Sequence, residues 1–289
     1  MAIEWTCNAD VRRLLGADVL YSAVAARRGP HLTPTAFSWS AGRLWVIAPR
    51  ASVKAKTLRR DPRIGLLISE GEQSLLGSGT ARVVDPLSFG AWGPFGELSR
   101  MPAGALSYLA GNTRHFLGVV ADQPSPLLLV DRVVLSITVH RLALVGGDRV
   151  IEAWGEWPRA NLLTDEPVPD AARWSLDELP DLLTQGGSAQ IGVQTVDGPA
   201  ALPGSWASDG HSADTGAELA TLVGMLPDGP VCVSRSTAGY RMDDKRGVLL
   251  RGDGTATLAG AQAHIQLTPE RLTTWQGRHT STVEHVKSP

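Results

Sequence analysis

One pattern occurs twice in this chain and limits what it can fold into. Ser22-Ala-Val-Ala-Ala-Arg-Arg-Gly-Pro-His-Leu-Thr-Pro34 aligns without gaps to Ile191-Gly-Val-Gln-Thr-Val-Asp-Gly-Pro-Ala-Ala-Leu-Pro203. Gly77-Ser-Gly-Thr-Ala81 is echoed by Gly252-Asp-Gly-Thr-Ala256, and His140-Arg-Leu142 by Glu270-Arg-Leu272. Short matches in a fixed order are how a duplicated unit shows itself. The 289 residues are enough for two ordinary domains. The fold must therefore be one that can be built twice, as an N-terminal unit over 1–156 and a C-terminal unit over 174–289. The linker 157–173 is rich in proline and acid. Residues 86–126, roughly, have no counterpart in the second unit. Within them Ala105, Leu109, Phe116, Val119 and Val120 recur at helical spacing, which predicts a helical excursion from the first unit.

The rest of each unit reads as strands. Over Val133–His140, Val133, Leu135, Ile137 and Val139 alternate with Val134, Ser136, Thr138 and His140, the period expected of a half-buried strand. The most informative local stretch is Gly42 to Ser69. An apolar strand (Leu44 to Ile47) gives way to Pro49, and Ser52 then offers an N-cap oxygen to a short helix. Asp61-Pro62 ends that helix, because a residue before proline is pushed out of the α region. Between Arg50 and Arg63 stand six basic residues and one acid. Free helix amides, a hydroxyl and lysines together make an anion site, of a size suited to a phosphate. The plainer reading is a solvated basic helix face.

The succession of words around this helix resembles the flavin-binding split-barrel superfamily. That superfamily includes pyridoxamine-phosphate oxidases, flavin reductases and actinobacterial flavin/deazaflavin oxidoreductases. The likeness rests on Gly29-Pro30…Thr33-Pro34, Ser52-x-Lys54, Leu58-Arg-Arg-Asp-Pro-Arg63 and Gly79-Thr-Ala-Arg-Val83. It implies a mainly β fold of two tandem split β-barrels forming a pseudo-dimer, with a cofactor in the groove between them. It further implies FMN as cofactor, with coenzyme F-420 or haem as alternatives. Arg50, Ser52 and Lys54 would hold the phosphate, and Thr33 and Thr35 would lie near the ring. The implied activity is an oxidoreductase moving hydride between the ring and a small organic molecule; a non-catalytic cofactor-binding protein is the alternative. The pyridoxamine-phosphate oxidase pattern is only partly kept. Its Ser-Arg-Lys triplet reads Ser52-Val53-Lys54, its Tyr-Thr pair is replaced by Ile47-Ala48, and its Arg…Lys pair would fall near His31 and Ala36. The surviving words are closer to the flavin/deazaflavin branch, and no residue is singled out as a catalytic acid or base.

The two units are not equivalent at this helix. The second carries Asp214-Thr-Gly-Ala-Glu-Leu-Ala-Thr-Leu-Val-Gly-Met-Leu-Pro-Asp228, with Glu218 near the place of Lys54. A carboxylate repels a phosphate by the same Coulomb term that makes lysine attract it. One cofactor per chain is expected, with Arg251 or Arg241 as the cations able to create a second site.

Other chemistries find no support. There is no phosphate-cradling Gly-x-x-x-x-Gly-Lys-Ser/Thr, no Gly-x-Ser-x-Gly elbow, and none of the seven histidines has zinc-ligand spacing, so no metal is expected. Gly77-Ser-Gly fits a turn or bulge. His115 on the predicted excursion reads as a surface histidine, although it could face the groove. Trp39 and Trp45 flank the proposed groove and read as packing residues rather than ring-stacking ones. Asp243-Asp-Lys-Arg246 reads as a charged turn. A net charge of −2 gives no electrostatic footprint for nucleic acid. No apolar run reaches the ~18 residues of a membrane span. Two cysteines and an N-terminus without a secretory pattern suit the cytoplasm. The expected partner is a small-molecule substrate, and nothing opposes a homodimer.

Overall fold

The computed structural model of the chain describes residues 4–85, 131–165, 180–237, 246–277 and 279–284. The predicted excursion with His115, residues 166–173 of the linker, Arg241 and residues 243–245 lie outside the described residues.

The first half contains α1 (Ala9–Leu14), β1 (Val19–Ala26), β2 (Gly29–Ala36), β3 (Ser38–Ser40), β4 (Arg43–Pro49), α2 (Val53–Arg60), β5 (Arg63–Glu70), β6 (Gln73–Val84), β7 (Arg132–Gly146) and β8 (Arg149–Trp154). Its strands pair antiparallel in the order β2-β1-β5-β6-β7-β4-β3, with β8 added to β7. The second half contains α3 (Asp181–Thr184), β9 (Gly187–Thr195), β10 (Gly198–Trp206), β11 (Ser212–Gly216), α4 (Ala217–Val223), β12 (Asp228–Ser236), β13 (Arg246–Ala259), β14 (Gln262–Gln276) and β15 (His279–Glu284). Its order is β11-β10-β9-β12-β13-β14-β15, and β11 also pairs β14. Each half thus places a short helix between its third main strand (β4 or β11) and the next, and appends a hairpin strand to the last.

The sequence repeat maps onto this arrangement strand by strand. The β1–β2 hairpin sets Ala26 opposite Gly29, and the β9–β10 hairpin sets Thr195 opposite Gly198. Carried one step past the sequence match, the same register superposes Thr35 on Gly204. The long hairpins share a β-bulge. The β6–β7 ladder slips between Ser78 and Gly79 and leaves His140 unmatched, while the β13–β14 ladder slips between Arg251 and Gly252 and leaves Glu270 unmatched. His140 and Glu270 are therefore counterparts, as the sequence suggests. The glycine echo is corrected, because Gly79 matches Gly252, two residues away from the letter-by-letter alignment. A Cβ on Gly79 would fall 2.1 Å from the Thr138 carbonyl oxygen, and one on Gly252 would fall 1.9 Å from that of Thr268. Both bulges need a residue without a side chain where the strands press together.

Local chemistry explains the turns that shape the first half. Ser40 pairs Arg43 across a two-residue loop in which Ala41 (φ 50°) and Gly42 (φ 74°) are both left-handed. That is the type I′ geometry whose twist matches the strands. Ser52 caps α2 by accepting from the Ala55 N–H at 3.2 Å, and Asp61 leaves the helix in an extended conformation before Pro62.

Val133–His140 is a strand, but its alternation does not separate core from solvent. Val133, Val134, Leu135, Ser136 and Ile137 are all buried. One face joins the first core with Leu20, Leu44, Ile64 and Leu75, while Val134 on the other packs with Trp45 and Val84. The second core gathers Ile191, Leu202, Trp206, Leu219 and Ile265, and takes in Leu76, Ala143 and Val145 from the first half. Between the halves Ala23, Leu32 and Leu67 meet Ala201, Cys232 and Leu249. Each fully buried leucine there contributes on the order of 2 kcal/mol. The Tyr21 hydroxyl and Ser236 Oγ, 2.7 Å apart, pin the rim of this contact.

Candidate functional site

In the first half β2 and β4 are not paired, so the barrel stays open along that seam. Helix α2 follows β4 and packs on β1, β6 and β4. Lys54, its second residue, is buried to 6 % exposure, and its ammonium donates to Thr35 Oγ1 on β2. Burial lowers the lysine to about 7, because an ammonium removed from water favours its neutral form.

His31, Thr33 and Thr35 share one face of β2 through the two-residue period of a strand. Burial first, and then the charges of Arg251, Lys54 and Arg271, push the His31 imidazole down to about 3. His31 is therefore neutral at ordinary pH. Its Nδ1 and the hydroxyl of Thr33 are buried without a hydrogen-bond partner. The two arginines arrive from the second half, directly opposite one another at the β13–β14 bulge. The Nε atoms of Arg251 and Arg271 are also buried and unsatisfied. Arg271 reaches Glu284 at 3.2 Å, and Glu284 also meets Arg28 at the mouth at 3.3 Å. Among the described residues the Arg251 guanidinium makes no hydrogen bond and no close ion pair, although the charge of Glu284 acts on it from further off. Buried polar atoms are nearly always paired, so these unmatched atoms make the groove the candidate ligand site.

Of the five residues read from the sequence, Thr33, Thr35 and Lys54 come together here. Ser52 serves as the helix cap. Arg50 sits at the start of α2 but its guanidinium is turned to Asp85, so it is committed to that carboxylate. Trp39 packs on Trp5 with ring centroids 5.0 Å apart, and buried Trp45 donates to the Ser40 carbonyl at 3.1 Å; both are packing residues. Sequence reasoning missed His31, Arg251 and Arg271 as a group. Arg251 was expected, if anywhere, in the second half's own site, and it faces the first half's instead. The adjacency of Arg251 to the bulge glycine Gly252 is the signal that could have found it.

The corresponding place in the second half is filled. Strands β10 and β11 pair through Ser205–Asp214 and Trp206–Ala213, which closes the seam. Ala200, Leu202 and Gly204 stand where β2 has His31, Thr33 and Thr35. Counting from the caps, Ser52 and Gly216, Glu218 takes the position of Lys54. The β7–β8 hairpin of the first half reaches over this helix end. A Cβ on Gly216 would lie 2.2 Å from the Asp148 carbonyl oxygen, and the Val150 N–H donates to Glu218 Oε2 at 3.2 Å. Beyond the plug a cavity of about 240 Å³ persists beside Arg63, His140, Arg141 and Trp157. Its arginines are already engaged, Arg141 with Asp197 at 2.6 Å and Arg63 with Asp61 at 2.7 Å.

Two antiparallel barrels, each with a short helix at its seam, pack through β1, β2 and β5 against β9, β10 and β12. The fold is a tandem pair of split β-barrels. Neither a protein-family profile nor a curated protein matches the sequence. Solved structures match half of the chain at a time. A conserved hypothetical protein from Mycobacterium tuberculosis is 21 % identical over 48 % of this chain and 84 % of its own, with a TM-score of 0.37. An FAD-binding protein from Mesorhizobium loti is 18 % identical over 50 % and 93 %, with a TM-score of 0.35. An F-420 reductase is 19 % identical over 46 % and 94 %, with a TM-score of 0.33. Split barrels of the pyridoxamine 5'-phosphate oxidase-like, FMN-binding type recur among such matches.

Proposed function

We propose that the chain binds one phosphate-bearing flavin or deazaflavin in the groove between its halves and serves as an oxidoreductase for a small organic molecule. The observation that supports this reading is the set of buried, unmatched polar atoms of His31, Thr33 and Arg251 on the two halves, with the buried ammonium of Lys54 on Thr35 beside β2. Lys54 and Arg251 would hold the phosphate, and Thr35 would keep Lys54 in place. Neutral His31 and Thr33 offer hydrogen bonds without charge along β2. Glu284 and Arg28 mark the mouth, where ligand enters. When bound, the ring would supply the hydride chemistry, while these residues bind, orient and exclude water.

A second reading, a non-catalytic cofactor carrier, is favoured by one observation. Among the described residues and apart from Lys54, the groove's titratable side chains are arginines, a histidine held neutral, the Cys232 thiol that burial pushes up to about 12, and Glu284 already paired with arginines. None is placed as a dedicated acid or base. The absorption spectrum of protein titrated with FMN and with F-420 tests binding, and the expected result is saturation at one ligand per chain. Reduction of dyes or quinones by the loaded protein separates the readings. Turnover supports the enzyme; tight binding without turnover over a broad acceptor panel supports the carrier. No saturable binding of either cofactor overturns both.

A further inference from the structure

The cavity beside Arg63 and Arg141 differs in charge from the groove at Arg251 and Arg271. By the bulge and hairpin registers, Ser78 stands where the second half has Arg251, and Arg141 where it has Arg271. Asp197, in the turn between β9 and β10, takes the place of Arg28. Carried one step past the β7–β8 and β14–β15 ladders, the same register sets Gly155 at the place of Glu284. One cation is thus gone, and the acid comes from the opposite hairpin. Asp197 Oδ2 accepts from Arg141 Nη1 at 2.6 Å. Arg63 is held by both oxygens of Asp61, at 3.0 and 2.7 Å. Around this cavity of about 240 Å³ each arginine therefore already has a carboxylate.

We infer, independently of the cofactor reading, that this cavity binds a small neutral planar molecule through an amide-type edge, an N–H beside a C=O, as in a ring carboxamide or lactam. A guanidinium only donates and a carboxylate only accepts. Asp197 Oδ1 makes no hydrogen bond among the described residues, so the Arg141–Asp197 pair offers a donor and an acceptor side by side. A C=O and an N–H answer them together. An ionic group would instead displace Asp197 or Arg141 from its partner at a partly desolvated rim, which is costly. Behind the rim the lining is apolar, with Ile64, Leu76, Ala200 and Val223. Trp157 forms a further wall, and its indole N–H is spent on the Trp154 carbonyl at 3.1 Å, so it offers a ligand only ring surface. His140, left unmatched by the bulge and 3.0 Å from Thr80 Oγ1, adds a polar group at the edge. Drug-sized ligands fill roughly 300–1,000 Å³, so a space of about 240 Å³ suits a single substituted ring.

Ligand-detected NMR titration of the full chain with benzamide, benzoate and benzylammonium, which share a ring and differ in charge, tests the inference. Benzamide should bind saturably with a Kd on the order of 1 mM, and the two ions at least about fivefold more weakly. In Asp197→Asn the Arg141 guanidinium loses its counter-charge, so the order should reverse and benzoate should bind about fivefold more tightly than benzamide. Trp157→Ala should weaken benzamide by about three- to tenfold. Ala200→Phe, which fills the cavity, should abolish binding. Circular dichroism checks that the variants fold, and Trp157→Ala locates the site if Ala200→Phe does not. No saturable benzamide binding, ions that bind wild type as tightly as benzamide, an order unchanged in Asp197→Asn, or benzamide affinity untouched in Trp157→Ala would each overturn the inference. Benzamide binding of the expected pattern without any flavin binding would uphold this site while the cofactor reading falls.

Discussion

The two seams of this molecule occupy corresponding places in the repeat and are built as opposites. In the first half β2 and β4 stay apart and the gap is spanned by a side-chain contact, Lys54 to Thr35. In the second half β10 and β11 join through the backbone. One position accounts for much of the difference. At Gly204, the counterpart of Thr35, a Cβ would come within 2.3 Å of the Asp214 carbonyl oxygen and 2.5 Å of Ile191 Cδ1. A side chain at that point holds the strands apart, and its absence lets them meet. The open seam keeps buried polar groups without partners; the closed one has Ala200, Leu202 and a neighbouring hairpin in their place.

Making the first site resemble the second should have the largest effect. Lys54→Glu copies Glu218 and places a carboxylate where the anion sits, so FMN binding should drop by more than about a hundredfold, the cost of turning a buried charge pair from attraction to repulsion. Calorimetry together with circular dichroism checks that binding is lost and the fold kept; unchanged affinity would show that the seat lies elsewhere. The converse change, Gly204→Thr, should destabilise the chain by about 2–4 kcal/mol through overpacking at the closed seam. Thr35→Gly should cost less than that in stability, and urea unfolding of the two variants measures the asymmetry.

The ligand-free protein should also show the open seam in its pH dependence. His31 falls from 6.5 to about 3 in the folded chain, so between those values the unfolded chain holds more protons and stability rises with pH. Lys54 falls from 10.5 to about 7, which gives a second rise across that window by the same sign. Urea midpoints from pH 3 to 10 should show both rises, and in Lys54→Met the upper one should disappear. Saturating FMN should flatten it, because an anion beside Lys54 restores its charge. The smallest effect expected is that of Glu218→Lys. With the β7–β8 hairpin seated on α4, reversing this charge should create no second site, and titration should still give one ligand per chain. A stoichiometry of two would show that the plug yields to charge alone.

Much of this fold could be read in advance because duplication writes the same backbone demand twice. The Gly-Pro hairpins, the Ser52 cap and the Asp61-Pro62 stop are local rules, and each appears where those rules place it. The site was legible only on one side. Lys54, Thr33 and Thr35 stand near one another in sequence, within one strand–strand–helix stretch. Arg251 and Arg271 reach the same groove from strands two hundred residues away, brought there by the packing of the halves, and no local pattern reports that. Arg50 illustrates the reverse case. It has the right charge beside the right helix, yet Asp85 claims its guanidinium, a contact made in three dimensions.

The β7–β8 hairpin is made before the helix it covers. During synthesis residues 146–150 leave the ribosome ahead of Gly216 and Glu218, and N-terminal units generally fold first. The second half therefore emerges onto a surface that already carries the piece completing its interior, with the Val150 amide ready for Glu218. The first half acts in this way as a template for its own degenerate copy, whose interior contains Leu76, Ala143 and Val145 from the earlier unit. Cutting the chain between the halves would strip the second interior of those three side chains and of the hairpin over α4.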